Sequence, residues 1–179
     1  MGDVRVIRVK QSVLANNDRR AEELRKELKE KGVFLINLMS SPGSGKTTLL
    51  VNLINKLKEK LRVGVIEADM DATVDAETIE AKTGVKTIQL HTSGECHLDA
   101  KMTQEGFESL GGDGLDLVIL ENIGNLVCPA EFDTGATLKM VFFPFLKAMI
   151  SRSNIRLCSP RAMSLSLRRW IRKSFSTLT

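Results

Sequence analysis

The stretch Ser40-Ser41-Pro42-Gly43-Ser44-Gly45-Lys46-Thr47-Thr48 combines the groups that hold a chain of phosphates. Gly43 and Gly45 let the backbone turn with its N–H groups inward, making a nest for anionic oxygens. A helix starting at Lys46 adds the partial positive charge of its N-terminus at the same place. The Lys46 ammonium reaches the β- and γ-phosphates of a nucleotide, and the Thr47 hydroxyl is placed to ligate Mg²⁺. Gly43, Ser44, Gly45, Lys46, Thr47 and Thr48 are therefore the expected nucleotide-binding residues. Ser40 stands where the usual G-x-x-x-x-G-K-[ST] pattern has its first glycine, and Gly43 and Gly45 supply most of the freedom required.

Mg²⁺ requires oxygen ligands besides Thr47 and the phosphates. Asp69, Asp75 and Glu121 are the acids that sequence order brings near the loop. Asp69 and Glu121 close apolar strand patterns. Asp75 lies in a segment that a γ-phosphate could order, although it also suits a helix cap. Glu121 has the strongest case, because Glu-x-x-Gly to Gly124 resembles the Asp-x-x-Gly of regulatory GTPases, where the glycine N–H senses the γ-phosphate. Lys46, Thr47, Asp75 and Glu121 are the expected catalytic set. A second group, Cys96, His97 and Cys128, offers two thiolates and an imidazole, donors suited to Zn²⁺ or Ni²⁺. Adjacent Cys-His is not a zinc-finger spacing, and small apolar cysteines beside a surface histidine are the alternative. His91 reads as an ordinary strand-end histidine.

These residues need a scaffold, and the hydrophobic pattern supplies one. Apolar runs at 33–39, 62–67, 85–90 and 115–120 read as strands. Helix-period segments at 46–60, 75–83 and 98–110 separate them. A further helix is expected from Asn17 or Asp18 to Lys31, with Asp18 as N-cap, Leu24 and Leu28 on the inner face, and Gly32 as the stop. Alternating strands and helices imply an α/β fold of the P-loop NTPase type, a mostly parallel sheet with helices on both faces. Ligands in such sheets bind beyond the carboxyl ends of the strands, where the phosphate loop, Asp69, Cys96, His97, Glu121 and Cys128 fall. The expected division is an N-terminal segment and helix at 1–32, a G domain at 33–135 and a separate tail at 136–179.

The 179 residues suffice for one domain with a core. No apolar run has the length of a membrane span, no secretory pattern opens the chain, and three cysteines suit a reducing cytoplasm. The net charge of +4 conceals a split: residues 134–179 carry nine of the 26 Lys and Arg and none of the 22 acids.

Three motifs carry a family resemblance: the phosphate loop, Thr92-Ser93-Gly94-Glu95-Cys96-His97-Leu98-Asp99-Ala100, and Glu121-Asn122-Ile123-Gly124-Asn125-Leu126-Val127-Cys128-Pro129-Ala130-Glu131-Phe132-Asp133. From about residue 10 to about residue 135 the chain resembles the hydrogenase nickel-incorporation GTPases of the HypB family, SIMIBI-class P-loop GTPases. The resemblance implies a cytoplasmic, Mg²⁺-dependent GTPase that helps insert nickel into [NiFe]-hydrogenase. It also implies a nucleotide-favoured homodimer with its nickel or zinc site, Cys96, His97 and Cys128, at the dimer interface. Asp75 and Glu121 fall at the family's Mg²⁺ and switch positions. A hydrogenase maturation partner and the hydrogenase large subunit are the implied partners; a membrane or nucleic acid is not. The related urease nickel GTPases fit the Cys-His and Glu-Asn-Ile-Gly-Asn surroundings less well.

Beyond Gly135 the family pattern should reach Asn-Lys-x-Asp, whose Asp reads guanine, and this chain contains no such tetrapeptide. The coincident change in composition suggests out-of-frame sequence from about residue 136, with the last strands of the G domain missing or replaced. Exposed apolar sheet and weakened guanine selectivity would follow. A genuine basic segment around Trp170, with Arg168, Arg169, Arg172 and Lys173, is the rival reading. In that case a nickel- or zinc-binding module with impaired hydrolysis is the alternative function.

Overall fold

The structure, a computed structural model, describes residues 9–69, 74–92, 94–142 and 156–157. The elements in chain order are α1 (Val9–Glu30), β1 (Phe34–Ser40), α2 (Lys46–Leu57), β2 (Val63–Asp69), α3 (Val74–Thr83), β3 (Thr87–His91), α4 (Ala100–Leu110), β4 (Leu117–Glu121), α5 (Cys128–Glu131), β5 (Leu138–Phe142) and β6 (Arg156–Leu157). Among the described residues the strands form one sheet in the order β3-β2-β4-β1-β5-β6, every neighbouring pair parallel.

Residues of alternate parity build a core on each face of this sheet. On one side Ile36, Leu38, Val63, Val65, Leu117 and Ile119 pack against Leu50 and Ile54 of α2 and Ile79 of α3. On the other, Leu35, Ile66, Val118 and Leu120 pack against Leu24 and Leu28 of α1 and Phe107 and Leu110 of α4. The central strands β1 and β4 are buried along their whole length, as expected for parallel strands covered on both sides. Gly64 is closely packed under α4: a Cβ there would lie 2.6 Å from Leu110 Cδ2 and 2.8 Å from Leu115 Cδ1.

From β1 the chain leaves toward β2 on one side, whereas from β4 it leaves toward β5 on the other. The carboxyl ends of β1 and β4, which are paired neighbours, therefore flank the switch point where such sheets open a ligand crevice.

Strands β1 to β4 fall within about two residues of their expected positions, and α4 starts at Ala100, capped by Asp99, whose Oδ1 accepts from Met102 N at 2.8 Å. Helix α2 stops at Leu57, before the expected Lys60. Helix α1 departs further. It begins by Val9, and Asp18 is an exposed mid-helix residue, so it caps nothing. The preceding Asn17 turns inward to tertiary partners and does not close a helix end. Gly32 does stop α1, at φ 71°. Val33 N donates to Leu28 O at 2.8 Å and Gly32 N to Lys29 O at 3.2 Å, a Schellman closure with Leu28 and Val33 in the same core. Past Gly135 the sheet continues: β5 pairs with β1 from Ile36↔Leu138 to Ser40↔Phe142. The basic segment at 168–173 lies outside the described residues.

Candidate functional site

The phosphate loop joins β1 to α2. Gly43 (φ 65°) and Gly45 (φ 84°) hold left-handed conformations with open space where a Cβ would stand, so backbone freedom explains these glycines. Gly45 is the N-cap of α2 and offers no side-chain bond to the helix end. The first N–H groups of α2 thus have no side-chain cap, the arrangement that receives an anion. Ser40, in place of the usual first glycine, is the last residue of β1 and fully buried. Its Oγ lies 2.6 Å from Ser44 Oγ and donates to Ser41 O at 3.1 Å, tying the loop across its own neck.

Lys46, the first residue of α2, donates from Nζ to Asn122 O at 2.9 Å and lies 3.9 Å from Glu121 Oε1. The loop after β4 therefore closes directly onto the phosphate loop. Gly124 completes that closure, since a Cβ there would stand 3.3 Å from Pro42 Cα and Cγ. Glu121 is 1% exposed. Burial pushes its carboxyl up to about 7; Lys46 opposes the shift, and Asp75 and Asp69 add to it. Asp69 ends β2 and Asp75 lies in the first turn of α3. Thr47 is half-buried and Thr48 exposed, both in the first turn of α2.

Glu67 was not among the residues picked out by sequence. It faces Glu121 in register across β2 and β4 and is 2% exposed. Burial raises its carboxyl to about 8, helped by Glu121, Asp69 and Asp75 and opposed by Lys46. A charged residue in the apolar run 63–67, two positions after Val65, is the signal that could have found it.

The metal-ligand candidates sit on neighbouring loops. Thr92 Oγ1 donates to Glu95 O at 2.7 Å and Glu95 N to Thr92 O at 3.1 Å, a turn through Gly94 (φ 92°) that presents Cys96 and His97. Cys128 opens α5. The Cys128 thiol, hydrogen-bonded to that of Cys96, pushes the Cys96 thiol above its usual range, and burial adds to the effect. The His97 ring stacks on Phe132 with centroids 3.6 Å apart, and its Nε2 is 3.7 Å from Glu95 Oε2. Two thiols thus meet, but among the described residues no three His, Cys, Asp or Glu side chains close on one point that could hold a metal ion.

Buried amides fasten both loops to the body of the domain. Asn122 Nδ2 donates to Asn37 Oδ1 at 3.1 Å, and Asn37 Nδ2 to Thr134 Oγ1 at 3.2 Å, all three residues fully buried. Asn17 Nδ2 donates to Asp133 O and its Oδ1 accepts from Ala100 N, each at 2.9 Å. Arg25 forks onto Asp133 at 2.9 and 3.0 Å. Asn125 Nδ2 donates to Cys96 O at 3.4 Å, linking the loop after β4 to the cysteine turn.

The model of the CobW/HypB/UreG nucleotide-binding domain matches residues 34–151. The chain belongs to this family. The match runs past Gly135, consistent with β5 continuing the sheet. The chain is 45% identical over 141 residues to the hydrogenase maturation factor HypB of Rhizobium leguminosarum bv. viciae, covering 79% of this chain and 47% of that protein. It spans about half the length of such curated relatives. Among solved structures it is similar to HypB from Helicobacter pylori in complex with nickel, at 38% identity and TM-score 0.64, over 70% of this chain and 59% of that one. HypB from Archaeoglobus fulgidus gives 35% identity and TM-score 0.65, over 73% and 63%. These relatives place the chain on the HypB side of the family. Among the described residues no helix is long and apolar enough to cross a membrane.

Proposed function

We propose that this chain binds and hydrolyses GTP and uses the nucleotide state to control a nickel site during [NiFe]-hydrogenase maturation. The observation that carries the reading is the contact of two loops at the switch point: Lys46 on Asn122 and Asn125 on Cys96. One short segment, 121–128, thus touches the phosphate loop at one end and bears a metal-ligand thiol at the other. Backbone N–H groups of 43–48 and the helix N-terminus accept the phosphates, and Lys46 neutralises the β- and γ-oxygens. Thr47, Asp69, Asp75 and Glu121 would hold Mg²⁺, whose charge offsets that developing on the γ-phosphate. The donors fit a hard cation: Glu121 Oε2 is buried with no partner. Gly124, pressed on Pro42, is placed to feel whether a γ-phosphate is present.

The Cys96–Cys128 pair, with His97, suits Ni²⁺ or Zn²⁺. Among the described residues one chain does not close three donors on a point, which supports a site completed by a second copy in a nucleotide-favoured homodimer. A maturation partner and the hydrogenase large subunit in the cytoplasm are the proposed exchange partners. The absence of Asn-Lys-x-Asp favours a second reading, a metal-binding module with poor choice between guanine and adenine. Reading the encoding DNA in all three frames from codon 130 tests whether the segment from about 136 is in frame.

Turnover and metal stoichiometry on one sample discriminate the two. The first reading expects Mg²⁺-dependent GTP hydrolysis that Lys46→Ala removes. Metal binding without hydrolysis, unchanged by Lys46→Ala and lost in Cys96→Ala, establishes the second.

A further inference from the structure

Glu67 and Glu121 occupy one level of the sheet on adjacent strands, with Leu38 of β1 and Met140 of β5 continuing that level. The row faces the α2 and α3 layer, because Val65, Ile119 and Ile36, two residues back on the same strands, belong to that core. At 2% and 1% exposure both acids are almost wholly buried. Nevertheless Oε2 of each has no hydrogen-bond partner. Buried unpartnered oxygens are costly, and an apolar residue would fill position 67 without that cost. The surroundings call for a cation: Asp69 follows on the same face of β2, Asp75 acts on both acids, and Lys46 reaches Glu121 from the phosphate loop.

We propose that Glu67 is a positioning residue of the nucleotide's divalent-cation site, accepting hydrogen bonds from the cation's water ligands and fixing Glu121 beside Lys46. The inference rests on the nucleotide reading above. Mg²⁺ gives up its waters reluctantly and keeps several of them in protein sites. Among the described residues no three carboxylates close on one point, which agrees with contact through water. Outer residues of this kind tune metal affinity by about 10–100-fold.

The test uses the full chain and a fluorescent N-methylanthraniloyl nucleoside triphosphate analogue, titrated with Mg²⁺. Wild type binds the analogue more tightly as Mg²⁺ rises. Glu67→Gln keeps the shape and removes the charge, and it should raise the Mg²⁺ concentration for half-maximal effect about tenfold or more. Analogue affinity in EDTA and the melting temperature without nucleotide stay at or above wild type, since one of two crowded acids is gone. Glu67→Asp, which keeps the charge on a shorter arm, should fall between. An unchanged Mg²⁺ midpoint in folded Glu67→Gln overturns the proposal alone. A lowered melting temperature, or equal losses with and without Mg²⁺, makes Glu67 a packing residue and overturns it too. A wild type with no Mg²⁺-dependent binding overturns the nucleotide reading and this inference together.

Discussion

Asn17→Ala should loosen both metal-bearing loops at once. Asn17 is 6% exposed, donates to Asp133 O, and accepts from Ala100 N, each at 2.9 Å. Alanine removes both bonds and leaves a buried N–H at the start of α4 and a carbonyl in the turn after α5. Each stranded group costs about 1–3 kcal/mol. Partial access of water to the Asp133 turn places the sum at about 2–4 kcal/mol. That is a large fraction of the 5–15 kcal/mol typical of a domain. Equilibrium urea unfolding reads the loss as a lower midpoint at unchanged slope. Asn17→Asp keeps the acceptor for Ala100 N and loses only the donor, so it should cost less. Its charge also lies at the N-terminus of α4, where a negative group is favoured. Hydrogen exchange at Ala100 should rise in Asn17→Ala and stay slow in Asn17→Asp. A loss under about 0.5 kcal/mol for Asn17→Ala, with Ala100 still protected, would refute the claim that α1 fastens these loops.

Other consequences are as direct. Glu67 and Glu121 both have folded pKa values raised, to about 8 and about 7, above the usual carboxylate range. The folded state therefore binds more protons than the unfolded state between about pH 4.5 and 8, and stability falls as pH rises through that window. Thermal melts of the nucleotide-free chain across it should show the decline, and Glu67→Gln should flatten it. Gly64→Ala should destabilise by about 1–3 kcal/mol, because its Cβ would overlap Leu110 and Leu115 at 2.6 and 2.8 Å. Denaturant midpoints check this, and a neutral result would mean that α4 shifts freely. Phe132→Ala removes the ring stacked on His97. It should weaken nickel binding about tenfold in a chelator competition and leave nucleotide affinity unchanged.

What sequence made legible was local. The phosphate loop announces itself because nest, lysine and hydroxyl lie within nine consecutive residues, and the structure puts Gly43 and Gly45 in the positive-φ conformations expected. Strands β1 to β4 were visible as apolar runs because parallel strands are buried on both faces. Asn17, Asn37 and Glu67 were not visible, since their roles depend on partners 54 to 116 residues away or across the sheet. A polar residue in an apolar run is the residual clue, as at Asn37 and Glu67. Sequence puts the start of α1 too late because Asn17-Asp18 looks like a cap, while tertiary bonds take the Asn17 side chain. Strand β5 lies in the segment that composition set apart, and composition says nothing about which strand a backbone pairs with.

The central claim is that one segment couples nucleotide to metal. Nickel affinity should be measured by chelator competition on one preparation, with Mg²⁺-GDP and with Mg²⁺ and a non-hydrolysable GTP analogue. The account predicts a difference of about fivefold or more between the two states, abolished in Lys46→Ala, within the usual range of coupling between sites. Equal nickel affinity in both states, with both nucleotides demonstrably bound, would contradict it.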